Sequence, residues 1–118
     1  MKNKIKSLLS IHNKVLFAYL FGSYVKGDYT DKSDVDIALY LADTSLDSRL
    51  EVHHALEVLL KKKVDLVVLN DVKNLYLLED ILKDNLVLKD DKERAFFEVA
   101  KNHDIIDFRN FKRYIDAA

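Results

Sequence analysis

The chain has two glycines and no proline, and both glycines, Gly22 and Gly27, fall within one short loop. Every other turn must therefore be made by ordinary residues. The loop, inside Leu20-Phe-Gly-Ser-Tyr-Val-Lys-Gly-Asp, is the one place where the backbone is free to take conformations that side chains forbid. It follows an apolar, aromatic and β-branched run, Val15 to Phe21, that reads as a buried strand ending at Gly22. It leads within a few residues to Asp34-Val35-Asp36 at the head of a second apolar run, Val35 to Leu41, also read as a strand.

The remaining pattern places helices around these strands. Ile5, Leu8, Leu9 and His12 have helical spacing. Leu46 to Leu60 carries apolar residues separated by charges and predicts a longer helix. Val64 to Leu69 predicts a third strand and Leu86 to Leu88 a short fourth. Val72 to Leu82 predicts a helix, and residues 92–117 are expected to be mostly helical with a break near Asn102. The reading is one α/β (α+β) domain over residues 1–118: a small mixed sheet with helices packed on it. Phe96, Phe97, Phe108, Phe111, Tyr114 and Ile115 are assigned to capping the sheet, with a partner-binding face as the alternative.

The acids carry the chemistry. Residues i and i+2 of a strand share a face, so Asp34 and Asp36 are expected to point the same way. Two close carboxylates need a proton, a cation or good solvation to coexist. Asp65 lies near the start of the third strand, where an unpaired aspartate is unfavourable. If that strand neighbours the second, three carboxylates converge and form an oxygen cage for one or two magnesium ions. With no cysteine in the chain, thiolate ligands and disulfides are excluded.

On the other side of the loop, Gly22 lets backbone amides approach an anion, Ser23 adds a hydroxyl and Lys26 a cation. A helical turn starting near Tyr24 would add its N-terminal amides. A phosphate cradle beside a carboxylate cage is what phosphoryl or nucleotidyl transfer requires.

The order Gly22-Ser23, Gly27, Ser33-Asp34-Val35-Asp36-Ile37, then Asp65, resembles the signature of the DNA polymerase beta-like nucleotidyltransferase superfamily. The similarity runs from about residue 16 to 69. The short chain is similar to the minimal nucleotidyltransferases that act as antitoxins beside helical HEPN-type ribonuclease toxins. The resemblance implies transfer of AMP from ATP to a hydroxyl, such as a tyrosine, of the toxin. Asp34 and Asp36 would be metal ligands for Mg2+ or Mn2+, with Asp36 deeper in the strand as the bridging one. Asp65 would be the third ligand or the base, and Gly22, Ser23 and Lys26 would bind the nucleotide. Lys26 departs from the arginine that many such proteins carry, which makes its phosphate contact less directional. The alternatives are nucleotidylation of a small molecule, as in aminoglycoside-modifying enzymes, and an antitoxin that acts by binding alone.

A formal charge of -1 argues against direct nucleic-acid binding. No apolar run approaches a membrane span, and the interrupted N-terminal segment lacks the pattern of a signal peptide, so a cytoplasmic protein is expected. His53 and His54, adjacent on a helix, face different ways and are not expected to share a metal. A protein partner is expected, and the small domain is compatible with an oligomer.

Overall fold

The computed structural model describes residues 1–117. Four strands form one mixed sheet in the order β3-β2-β1-β4. β1 (Val15–Phe21) runs antiparallel to both β2 (Val35–Leu41) and β4 (Leu86–Lys89), while β3 (Val64–Val68) is parallel to β2. The parallel pair needs a crossover, which α3 (Leu46–Leu60) supplies. Ser45 starts that helix by accepting a hydrogen bond from the Ser48 amide. Its end is made without glycine: Lys61 takes a left-handed φ of 53°.

The sheet is covered on both faces. On one side α1 (Lys2–Ser10) and α3 bury Ile5, Leu9, Val52 and Leu56 against Ala18, Leu20, Ile37 and Leu39. On the other, α4 (Leu75–Lys83) and α5 (Lys92–Ala117) bring Leu78, Ile81, Phe97 and Ile105 to Phe17, Tyr19, Phe21 and Ala38. Alternate residues of β1 and β2 thus enter different cores, so both strands read as continuous apolar runs. On the second face Phe17 stacks on Tyr40, with ring centroids 4.9 Å apart, and both rings meet Phe97. The buried Tyr19 hydroxyl donates to Glu98 Oε1 at 2.6 Å, and Arg94 holds that same carboxylate. Burial, with the Glu98 charge beside it, keeps the Tyr19 phenol neutral well above its ordinary range.

Three boundaries differ from expectation. β3 ends at Val68, and Leu69–Asp71 forms a 3-10 turn. α4 starts at Leu75 rather than Val72, because the Asn74 side chain accepts from the Tyr76 and Leu77 amides and fixes the start there. α5 runs unbroken through Asn102, since Phe97, Ile105 and the half-buried Phe108 keep one inward face across that position. Of the large apolar residues near the C-terminus, Phe97 is buried against the sheet and Phe108 half-buried, while Phe96, Phe111, Tyr114 and Ile115 are exposed. No described helix is long and apolar enough to cross a membrane.

Candidate active site

The loop that holds both glycines turns the chain directly off β1. Gly22 caps α2 (Ser23–Lys26) from φ 75° and ψ -148°, a region open essentially to glycine alone. Its position is crowded as well: a Cβ there would land on the Asp36 carboxylate. The backbone of the bend and the acid are thus packed directly together, and only the missing side chain permits it. Gly27 closes the turn at φ 85° with nothing near its would-be Cβ, so its role is conformational. The Val25 and Lys26 amides donate to the Gly22 carbonyl, which leaves the first amides of the turn without an intrahelical acceptor.

Asp36 is the hub. It lies in register with Phe21 of β1 on one side and with Asp65 of β3 on the other. The parallel pairing of β2 and β3 therefore sets Asp36 and Asp65 side by side, as the sequence suggested. Asp36 is half-buried and its carboxyl is pushed up to about 6, first by burial and then by the charges of Asp65 and Asp34.

Asp34 stands just ahead of β2, as reading the strand from Val35 to Leu41 implies. The ladder begins only where the Val35 amide donates to the Lys63 carbonyl at 3.0 Å, so Asp34 precedes β2 and is exposed. Among the described residues no three such side chains are gathered at metal-binding spacing. The arrangement is a close pair, Asp36 and Asp65, with Asp34 at its edge, an open spacing that like-charge repulsion favours. The donor set still suits a hard divalent cation: all oxygen, acidic, and with an excess of negative charge at Asp36 that a cation would relieve.

Lys26 is at the loop as expected, but it is already paired. Its Nζ lies 3.0 Å from Asp80 Oδ1 on α4, and that carboxylate raises the Lys26 pKa. Asp80 also adds to the charge felt by Asp36. Nothing in the local sequence singles out Asp80, a polar residue of the amphipathic α4. Its signal is purely spatial. The neighbouring helix residue, Glu79, pairs with Arg109 of α5, so α4 ties the loop to the C-terminal helix. His53 bonds to the Val64 carbonyl at 2.7 Å, and His54 is exposed, so the two do not converge.

Residues 3–94 match the polymerase beta nucleotidyltransferase family. The chain belongs to that family. It is a nucleotidyltransferase whose Gly-Ser bend and paired acids lie within the matched span. A Methanocaldococcus jannaschii protein, provisionally named a protein adenylyltransferase, is 34% identical over 92 residues, covering 70% of this chain and 92% of that protein. The protein adenylyltransferase MntA of Thermococcus cleftensis is 38% identical over 79 residues, covering 60% of this chain and 80% of MntA. Among solved structures, a chain of a toxin–antitoxin complex crystallised with AMP-PNP superposes with a TM-score of 0.79 at 30% identity, covering 98% of this nucleotidyltransferase and 95% of that chain.

Proposed function

We propose that this nucleotidyltransferase is a protein adenylyltransferase and antitoxin, which silences a HEPN-type ribonuclease toxin by moving AMP from ATP to a tyrosine hydroxyl of the toxin. One observation carries the chemistry: the Gly22-Ser23 bend rests against the Asp36 carboxylate, with Asp65 in register beside it. A triphosphate held by the bend is thereby brought next to the acids. The likeness to MntA and to a toxin–antitoxin chain supports the choice of acceptor.

The free amides at Ser23 and Tyr24, with the Ser23 hydroxyl, would bind the phosphates. Lys26 would exchange its Asp80 partner for a phosphate oxygen. Asp34, Asp36 and Asp65 would hold Mg2+ or Mn2+, which when bound neutralises charge on the phosphates. Asp65, the exposed member of the pair, is the side chain set to take the proton from the attacking hydroxyl. The hydroxyl oxygen bonds to the α-phosphorus, the bond from that phosphorus to the bridging oxygen breaks, and pyrophosphate leaves.

The test is co-expression with the HEPN-type toxin and intact-mass measurement of the toxin. Added AMP that disappears with Asp36→Asn is the expected result. A toxin that is neutralised but never modified would leave binding alone as the antitoxin's action.

A further inference from the structure

β3 is the last strand of the sheet, so one of its edges has no neighbouring strand among the described residues. At its start the Lys63 carbonyl accepts from the Val35 amide of β2 at 3.0 Å. Successive residues of a strand turn their backbone groups to opposite sides, so the amide and carbonyl of Val64 face the free edge. Side chains of α3 take both. The Val64 amide donates to Glu57 Oε2 at 2.9 Å, and His53 Nε2 lies 2.7 Å from the Val64 carbonyl oxygen. A carbonyl only accepts, so Nε2 carries the proton. His53 and Glu57 are half-buried and stand one helical turn apart, their facing polar atoms separated by 3.7 Å. Together they meet Val64 as a neighbouring strand would, donor to acceptor and acceptor to donor.

The clamp falls one residue before Asp65. That acid stands beside Asp36 only in the present register, Val35 with Val64 and Asp36 with Asp65. Side chains alternate along a strand, so a slip of one residue would carry Asp65 to the face packed under α3 and set an apolar side chain beside Asp36. β3 has five residues and pairs on one side, so few bonds of its own resist that slip. α3 is seated in the core through Val52 and Leu56 and gives the clamp a fixed base. Just past the other end of β3, Asn70 ties the chain to β2: its side chain accepts from the Leu41 amide at 2.8 Å and donates to the Leu41 carbonyl at 2.9 Å. The short strand is thus held at its start to α3 and beyond its end to β2.

We propose that His53 and Glu57 are positioning residues for Asp65: by holding both backbone groups of Val64 they fix the register that sets Asp65 against Asp36. The inference rests on the adenylyltransferase reading and adds what places the acid that receives the hydroxyl proton. Both side chains act through the backbone of β3, one residue removed from the acid. A misplacement of about 1 Å at such a group costs about 100-fold in rate. The Gly22-Ser23 bend that would hold the nucleotide lies at the end of β1, across β2 from β3, so its geometry does not depend on the clamp.

The experiment compares wild type, His53→Ala, Glu57→Ala, the conservative variants His53→Gln and Glu57→Gln, and Tyr19→Phe, a core variant that loses a hydrogen bond away from β3. AMP transfer to the HEPN-type toxin gives kcat and KM for ATP. Amide hydrogen exchange of the protein alone reads the pairing of β2 with β3 at the Val35 amide. Each alanine variant leaves the other bond to Val64 in place; it should lower kcat at least about tenfold and keep KM for ATP within about twofold. Exchange at Val35 should quicken at least about tenfold while the β1 amides keep their protection, which shows the variant folded. Glutamine should restore kcat to within about threefold of wild type, since its amide donates in the place of Nε2 and accepts in the place of Oε2. Tyr19→Phe should retain both kcat and the Val35 protection. An alanine variant with full kcat overturns the proposal, as does a loss of kcat that Tyr19→Phe matches or that glutamine leaves unrescued. If wild type transfers no AMP, the adenylyltransferase reading fails and exchange at Val35 decides the clamp by itself: faster exchange in the alanine variants upholds it, and unchanged exchange overturns it.

Discussion

Replacing Asp36 with asparagine should stabilise the protein while abolishing its chemistry, and the gain should depend on pH. The Asp36 carboxyl rises from 3.8 to about 6 in the fold. Its ionised form is therefore disfavoured in the native state relative to the unfolded chain. The penalty is small below 3.8, grows between there and about 6, and is complete above. At about 1.36 kcal/mol per pKa unit the full shift corresponds to about 3 kcal/mol. Solvent screening at this half-exposed position reduces that to roughly 1–2 kcal/mol. Asparagine removes the charge, keeps the shape and can donate a hydrogen bond to Asp65. Urea denaturation of both proteins at pH 4 and pH 8 measures the effect, and unrelated contributions cancel in the difference. Asp36→Asn should gain about 1–2 kcal/mol more, relative to wild type, at pH 8 than at pH 4. Millimolar magnesium at pH 8 should shrink the gap, since a ligand of the native carboxylates stabilises only wild type. A pH-independent difference, or a less stable variant at pH 8, would refute the crowding of carboxylates on which the site rests.

Gly22→Ala should cost about 2–4 kcal/mol, combining a backbone conformation closed to alanine with the clash against Asp36; chemical denaturation reads it directly, and a loss below about 0.5 kcal/mol would contradict the close approach. Lys26→Ala should leave stability within about 0.5 kcal/mol, because the Asp80 pair is exposed on both sides, yet raise KM for ATP; an unaltered ATP dependence would remove Lys26 from the nucleotide site. Asn74→Ala should cost about 1 kcal/mol by uncapping α4, measured by thermal melting. Tyr19→Phe should lose about 1 kcal/mol with its bond to Glu98 while AMP transfer persists, since the hydroxyl is buried in the core and spent on that bond.

The amino-acid order alone settled the strands and most helices, because apolar runs and helical spacing depend only on neighbours along the chain. It also singled out Gly22, Ser23, Asp36 and Asp65, since glycine pairing and aspartates at strand heads are local anomalies that core formation does not call for. The start of α4 at Asn74 and the continuity of α5 past Asn102 were decided by a side-chain cap and by tertiary packing, which periodicity alone does not weigh. Only the parallel pairing of β2 with β3 put Asp36 beside Asp65, since strand neighbourhood is a matter of topology. That Asp34 is left exposed at the edge of that pair was likewise settled by the fold. The Lys26–Asp80 bridge joins residues 54 positions apart, and the outward face of α5 exists only because the other face was taken by the core. Local pattern determines which residues are unusual; which of them meet, and which are left exposed, is fixed by how the elements pack.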